Sequence, residues 1–357
     1  MDRIIANGFV VTCNAGQTGG RLNILIREGR IASITADLQA LTVENPNASV
    51  VDASRKLIIP GFVNAHTHGE SSLHQAFTSG RHFRVWRDDP LLGEASRMFR
   101  NEPQEVECVY RASYADHLRF GTTTVGEFGP PVGADCFSQI VESTQAFGTR
   151  SLLTLQNWEQ ISRARELGLS RGHCLIGLGA AEDLTVYTFS NLAGAAKAEN
   201  LPLLAHIAET REEADVLMQN FSKPPIALLA EFGILQKGTV VVHANYISEE
   251  DITILRDKQI PVVITPRSTA LKHTGYPSLR GLISSGVHLC LGTDWGKFDL
   301  LAEMQFMYLL PLLLPGFKEL KACDILSMAT LHGAQALGLD EEVGSTEPGK
   351  RADLTFF

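Results

Sequence analysis

The chain has 357 residues, of which 44% are hydrophobic, so it can bury a sizeable core in one large domain or two smaller ones. Its 31 Lys and Arg residues are outnumbered by 40 Asp and Glu residues, which gives a formal net charge of −9. Neither nucleic acid nor an anionic membrane is attracted to an acidic surface, and no apolar stretch is long enough to span a bilayer. We therefore expect no nucleic-acid partner and no membrane partner.

The cysteines and the first residues bear on the cellular compartment. Six cysteines are scattered along the chain without a Cys-x-x-Cys pair, which is typical of neither a disulfide framework nor a zinc ribbon. The opening segment MDRIIANGFVV lacks the basic stretch and long apolar core of a signal peptide. Together these features predict a cytoplasmic protein.

The first sixty residues are predicted to be rich in β-strands. Two segments, IIANGFVVT and NILIREGRIASI, contain short runs of Ile and Val separated by Gly and Asn, which favour turns. The pair Glu28-Gly29 is typical of a β-hairpin turn.

From Leu57 onward, short apolar runs alternate with longer helical stretches, a pattern typical of βα units around a parallel sheet. Helices are predicted at 212–219, 226–232 and 249–258. Eight strands that are buried on both faces and followed by crossovers favour an α/β fold with a closed (β/α)₈ TIM barrel over an open sheet. The eight predicted strands cover residues 57–65, 122–128, 151–156, 174–180, 202–207, 239–244, 261–265 and 287–293.

Polar side chains that can bind metal follow four of these strands. In a barrel of this kind the functional site forms at the carboxyl ends of the strands, so these side chains are expected to meet there. His66 and His68 point to the same face of an extended strand, and a divalent cation would satisfy two imidazoles buried side by side. The full set of strand-end candidates is His66, His68, His206, Glu209, His243 and Asp294.

The segments that contain these residues resemble motifs of the amidohydrolase superfamily. The resemblance is closest to the heterocycle deaminase and chlorohydrolase branch, which includes deaminases of methylthioadenosine, S-adenosylhomocysteine, cytosine and guanine. The matching segments occur in family order and extend over nearly the whole chain. They are PGFVNAHTH (60–68), HIAET (206–210), HANYIS (243–248), GTDWG (292–296) and the tail ATLHGAQALGLDEEVGSTEPGKRADL (329–354).

This resemblance implies a domain organisation. The barrel would occupy residues 57–335. Residues 1–56 and the return segment 336–357 would form a small β-sandwich from both ends of the chain. The chain stops at LTFF, where relatives continue for several strands, so the sandwich is expected to be either abbreviated or cut.

The resemblance also implies the metal ligands and the catalytic roles. One divalent metal ion, Zn²⁺ or alternatively Fe²⁺, would be held by His66, His68, His206 and Asp294. Such an ion lowers the pKa of its bound water from about 15.7 to roughly 7, which gives hydroxide at neutral pH. Asp294 would also accept the proton of this water. Glu209 would pass a proton to the ring nitrogen and the departing amine, and His243 would stabilise the attacking oxygen.

A second metal is not expected. Dinuclear relatives carry a bridging Lys at the fourth strand, and here that strand reads CLIGLGA without a Lys. Glu182 and Asp183, which follow this strand, are the candidates for a weak second site.

Three residues are predicted to contact the substrate. Gln75 lies in the loop after the first strand, and Trp295 beside Asp294 would either stack on a flat ring or belong to the core. Arg267 would bind an anionic substrate group or pair with an acidic neighbour. The segment Pro-Arg-Ser-Thr at 266–269 departs from the Pro-Arg-Ser-Asn of many relatives, so the identity of the ring stays open.

The predicted function is that of a metal-dependent enzyme that deaminates an aminated purine, pyrimidine, pterin or triazine-like ring and releases ammonia. Hydrolysis of a cyclic amide or amidine and hydrolytic dehalogenation are alternatives, because each adds hydroxide to an electrophilic carbon. A further alternative is a non-catalytic scaffold, but such relatives usually lose metal ligands and none is lost here. The resemblance also predicts a homodimer that acts on a small heterocyclic substrate.

Overall fold

The computed structural model describes residues 2–357 except 79–80, 83–84, 86–87, 171, 180–184 and 315–319. Its described strands form an eight-stranded parallel sheet and a separate six-stranded sheet. The strands in chain order are β1 (Arg3–Val11), β2 (Gly19–Arg27), β3 (Arg30–Thr35), β4 (Ser49–Asp52), β5 (Leu57–Pro60), β6 (Phe62–Thr67), β7 (Thr122–Glu127), β8 (Arg150–Leu155), β9 (Cys174–Leu178), β10 (Leu203–Ile207), β11 (Val240–His243), β12 (Val262–Ile264), β13 (Leu289–Leu291) and β14 (Leu354–Phe356).

Helices follow most strands of the parallel sheet, as repeated βα units require. The predicted helices at 212–219, 226–232 and 249–258 are confirmed within two residues at each end. The helices described are α1 (Leu38–Glu44), α2 (Ser71–Thr78), α3 (Pro90–Phe99), α4 (Pro103–Arg119), α5 (Ala134–Ala146), α6 (Trp158–Glu166), α7 (Val186–Glu199), α8 (Arg211–Phe221), α9 (Pro225–Glu231), α10 (Glu249–Asp257), α11 (Pro266–Leu271), α12 (Leu279–Ser284), α13 (Leu300–Leu313), α14 (Ala322–Met328) and α15 (Leu331–Ala336). Within this described part of the chain, no helix is both long and apolar enough to cross a bilayer.

The small sheet is built from both ends of the chain, as predicted. Strand β1 pairs with β2 in antiparallel fashion and with β4 and β5 in parallel, while β14 pairs antiparallel with β5. The predicted hairpin joins β2 and β3. Its two turn residues, Glu28 and Gly29, have φ angles of 48° and 73°, the left-handed conformation that a two-residue hairpin turn requires.

The predicted first barrel strand, residues 57–65, is divided between the two sheets. Leu57–Pro60 pairs within the small sheet, and the barrel begins with Phe62–Thr67. Gly61 separates the two strands, and a Cβ at this position would lie only 2.5 Å from Cγ2 of Thr123. The glycine therefore allows the chain to pass close to the second barrel strand as it changes sheets.

The parallel sheet closes into a barrel. Strands β6 to β13 pair in chain order, and a bridge between Thr67 and Asp294 connects the first strand with the segment after the last. Asn64 strengthens this seam, because its amide donates to Thr293 Oγ1 at 2.7 Å and its carbonyl oxygen accepts from the Thr293 backbone N–H at 3.1 Å. The seam fixes the backbone beside three of the predicted metal ligands.

The barrel interior is apolar toward the amino ends of the strands. Leu204 and Val240 are fully buried there, in one cluster with Ala334 of α15 and Leu337, which follows that helix. Helix α15 packs closely on β6, since a Cβ at Gly333 would lie 3.0 Å from the side chain of Val63. The helix thus closes the end of the barrel opposite the predicted site.

Candidate metal centre and active site

The four predicted metal ligands converge at the carboxyl ends of the barrel strands. Their donor atoms all lie within 4.8 Å of one another, and all four side chains are buried. His66 Nε2 is 3.1 Å from His206 Nε2 and 3.4 Å from Asp294 Oδ1. His68 Nε2 is 3.3 Å from the same oxygen. Nitrogen and oxygen donors at this spacing suit one divalent ion, which binds such ligands at about 2.0–2.2 Å.

The protonation states of these residues fit a cation. Burial lowers the pKa of His66 to about 3 and holds that of His206 well below its ordinary value, so both imidazoles are neutral. His206 Nδ1 lies 3.2 Å from the carbonyl oxygen of Leu178, and a bond there leaves the Nε2 lone pair directed at the site. Asp294 Oδ1 is buried and accepts no hydrogen bond from any described residue. A buried oxygen of this kind is stabilised by a bound cation.

The second oxygen of Asp294 is already occupied. It accepts from Ser268 Oγ at 2.6 Å and from Lys272 Nζ at 2.5 Å. Lys272 Nζ also donates to Glu209 Oε1 at 2.6 Å. Burial alone would lower the pKa of Lys272, but the two carboxylates outweigh it and raise the pKa. Lys272 is therefore a buried ammonium between two carboxylates.

The two predicted proton-transfer residues lie next to each other. Glu209 Oε2 is 3.6 Å from His243 Nε2, a nitrogen that has no hydrogen-bond partner among the described residues. The backbone of Glu209 is fixed on both sides, because its N–H donates to Glu213 and its carbonyl accepts from Asn245. Burial lowers the pKa of His243, so its imidazole is neutral as well.

Several residues at this rim have unusual backbone conformations. His243 and Asp294 have φ angles of 73° and 50°, and Ala208 and Ala244 have 51° and 49°. For residues with a Cβ this left-handed region costs roughly 1–2 kcal/mol each. Strain of this kind concentrates at functional sites. Here it turns the side chains of His243 and Asp294 in a direction that an ordinary strand end would not give them.

A cavity of about 520 Å³ lies in front of the four ligands, within the usual size range of small-molecule sites. Trp295 forms part of its wall and stacks on His68 with ring centroids 4.5 Å apart. Arg100, which also lines the cavity, pairs with the buried carboxylate of Glu70 at 2.9 Å. The lining residues are His68, His74, Leu92, Gly93, Ser96, Arg97, Arg100, Asn101, Phe128, Gly179, His206, Glu209, Lys272, Asp294 and Trp295.

The predicted substrate contacts differ in where they lie. Trp295 lines the cavity, whereas Arg267 is not among the described lining residues. The backbone N–H of Arg267 donates to Glu303 at 2.9 Å, and its guanidinium lies 3.9 Å from the same carboxylate, as in the alternative of an acidic neighbour. Gln75 belongs to α2, but its side chain is outside the described part of the structure. The candidate second-site residues at 182–183 also lie outside the described residues.

Of two further buried residues beside the site, sequence reasoning missed Lys272. Lys272 follows α11 with no motif to mark it, and only the fold brings it to Asp294. Glu127, at the end of β7, accepts from the Gly69 backbone N–H at 2.7 Å and from the Tyr110 hydroxyl at 3.2 Å. Burial raises the pKa of Glu127 to about 8. Glu127 thereby fixes the turn that follows His68.

A barrel with imidazoles and a carboxylate gathered at this rim places the protein in the class of metal-dependent hydrolases. The model of the Amidohydrolase family matches residues 57–357, and the chain belongs to that family.

The chain is similar to deaminases over most of its length. It is 28% identical to the 5-methylthioadenosine/S-adenosylhomocysteine deaminase of Moorella thermoacetica, with 99% of this chain and 85% of the relative covered. It is 25% identical to the 5'-deoxyadenosine deaminase of Methanobrevibacter smithii, with 93% and 78% covered.

Solved structures share the fold. An adenosine deaminase from Xanthomonas campestris with bound zinc superposes with a TM-score of 0.85 at 23% identity, covering 99% of this chain and 84% of the other. A guanine deaminase from C. acetobutylicum with bound guanine gives 0.87 at 18% identity, covering 100% and 90%. These likenesses confirm the predicted barrel with its small additional sheet.

Proposed function

We propose that the protein is a hydrolytic deaminase of an aminated nitrogen heterocycle, with adenosine-like nucleosides as the first candidates. One observation carries the proposal: the four candidate ligands of a metal ion and Glu209 lie together beside one cavity. The relatives named above supply the substrate class, since both act on adenosine derivatives.

We propose Zn²⁺ as the metal, held by His66, His68, His206 and Asp294. Neutral imidazoles and an ionised carboxylate are donors that zinc prefers. The buried Oδ1 of Asp294, which lacks a donor among the described residues, supports its assignment as a ligand. When bound, such an ion supplies a water whose pKa is lowered to roughly 7, and hence a nucleophile at neutral pH.

The protein side chains would then transfer protons to the ring and stabilise the oxygen that adds to it. Glu209 Oε1 accepts from Lys272, whereas Oε2 faces His243, so Oε2 is the atom that would carry a proton to the ring nitrogen and to the departing amine. His243 Nε2 would bond the oxygen that adds to the ring carbon. Proton transfer by a positioned side chain contributes roughly 10²–10⁴-fold. Asp294 was predicted to accept the proton of the water. We keep this role beside ligation, because the proton that leaves the water needs an acceptor before Glu209 delivers a proton to the ring.

The cavity wall supports a flat substrate. Phe128 and Trp295 present aromatic surface in front of the ligands, and such surface stacks well on a heterocycle while it excludes water. Trp295 is held in place by its stacking on His68 and its packing against Leu92.

The test is ammonia release and product mass from zinc-loaded protein incubated with adenosine, 5'-deoxyadenosine, methylthioadenosine, guanine and an aminotriazine. We expect ammonia and a product in which oxygen replaces the amino group, with the Glu209→Gln variant as a control that should be roughly 10²–10⁴-fold slower. Addition of water without ammonia would replace deamination by ring opening. No product from any compound would overturn the proposed substrate class.

We also propose a cytoplasmic homodimer. All six cysteines are free, as expected in a reducing compartment. The dimer follows from the family resemblance, and light scattering of the purified chain measures it. A monomeric mass at micromolar concentration would contradict it.

A further inference from the structure

The active site contains a second group of potential metal-binding atoms. Glu209, His243 and Asp294 each offer one donor atom, these atoms lie within 4.8 Å of one another, and all three residues are buried. Asp294 belongs to both groups. Oδ1 faces His66 and His68, while Oδ2 faces Lys272.

We propose that Lys272 supplies the second positive charge of this active site, so that its fixed ammonium takes the position that a second metal ion would otherwise occupy. The proposal rests on the proposed function only in that the first ion is the one held by the four predicted ligands.

Charge balance is the first argument. Two carboxylates, Glu209 and Asp294, lie in a pocket where their side chains are 9% and 0% exposed. The donor oxygens of these two carboxylates lie within 4.8 Å of each other, and buried like charges that close repel strongly unless a cation lies between them. Lys272 Nζ does so, at 2.6 Å and 2.5 Å, with only 4% of its side chain exposed. An ammonium this deeply buried is stable only with such partners.

Geometry is the second argument. In two-metal sites a pair of cations lies about 3.5–4 Å apart and shares ligands. Asp294 is arranged as such a shared ligand, since one oxygen faces the imidazoles and the other faces a cation. Here the second cation is the ammonium group of Lys272.

The position of Lys272 is fixed by the backbone. It caps the carboxyl end of α11, where its N–H donates to the carbonyl of Ser268 at 2.9 Å. The hydroxyl of Ser268 donates to the same Asp294 oxygen as the lysine. Helix α11 therefore positions both donors to Asp294, the hydroxyl of Ser268 and the ammonium of Lys272. If the ammonium moved away, it would lose its contacts with both carboxylates.

The experiment counts metal ions. Metal-free wild type, Lys272→Ala, Lys272→Arg and the surface control Lys258→Ala are dialysed against Zn²⁺ or Co²⁺, and the metal content per chain is measured by mass spectrometry. We expect one ion per chain in the wild type, in Lys272→Arg and in Lys258→Ala. In Lys272→Ala we expect two, and with Co²⁺ the two ions should be magnetically coupled in electron paramagnetic resonance, because they share Asp294.

Two results would overturn the proposal: a second ion bound by the wild type with its lysine present, or a single ion in folded Lys272→Ala. If Lys272→Ala does not fold, the double variant Glu209→Gln/Lys272→Ala removes one of the unpaired charges. It should fold and hold one ion, and failure of the double variant to fold would show that Lys272 serves packing and not charge balance.

Metal counting needs no substrate, so the two proposals fail separately. A wild-type chain that binds no ion would overturn the proposed metal centre. A wild type with one ion, together with Lys272→Ala with one ion, would overturn only the role of Lys272.

Discussion

The two ends of the barrel are made by the same eight strands and have opposite chemistry. At the amino ends, side chains such as Leu204 and Val240 pack with helix α15 into an apolar plug. At the carboxyl ends, imidazoles, carboxylates and an ammonium are buried together, and His243 and Asp294 have left-handed backbones. The plug stabilises the fold, and that stability allows strain and buried charge at the other end.

The largest effect is expected for Asp294→Asn, at the polar end. The substitution removes the charge from a metal ligand and from the partner of Lys272. We expect turnover to fall below detection and the bound metal to drop well below one ion per chain, measured on the same sample. Retention of wild-type activity would show that the proposed centre is not where hydrolysis occurs.

A smaller loss is expected for Glu209→Gln, which preserves shape but cannot carry a proton. We expect kcat to fall roughly 10²–10⁴-fold. Because Glu209 is not among the four predicted ligands of the first ion, metal content should not change. A variant that lost both metal and activity would move Glu209 into the ligand set.

The apolar end is tested by Leu204→Ala, with Leu167→Ala as the exposed control. Leu204 is fully buried, and truncation of such a leucine costs about 2–5 kcal/mol. We expect the free energy of unfolding to fall by that amount while kcat per folded molecule stays unchanged. Leu167 is 39% exposed, so its truncation should have little effect on stability. A large kcat effect from Leu204→Ala would show that the two ends are not separable.

A pH dependence of stability is also expected, from Glu127. Burial raises its pKa from 4.5 to about 8 in the folded protein. Between these values the unfolded chain has lost a proton that the folded chain keeps, so this residue lowers stability as pH rises from about 4.5 to about 8. The Glu127→Gln variant cannot ionise and should lose less stability over that range.

Urea unfolding of wild type and Glu127→Gln at about pH 5 and about pH 8 measures this difference. The stability of the variant relative to wild type should increase toward the higher pH. An unchanged difference would mean that Glu127 ionises alike in both states.

The sequence predicted which metal-binding residues meet at the polar end of the barrel, but not the contacts around them or the change of sheet that precedes them. His66, His68, His206 and Asp294 stand at strand ends within motifs, so strand counting brought them to one rim, and the deaminase prediction agrees with the names of the relatives. Lys272 has no such signal, because its contact with Asp294 depends on the path of the chain after β12. The change of sheet at Gly61 was also hidden, since Leu57–Pro60 and Phe62–Thr67 read as one apolar run.

Titration of metal-free protein with Zn²⁺, with ammonia release from an adenosine-like nucleoside recorded at each point, measures whether one bound metal ion drives the deamination. We expect the rate to rise in proportion to zinc up to one ion per chain and then to stay constant. Full activity in the metal-free protein, or a rate that does not respond to zinc while the nucleoside is turned over, would contradict it.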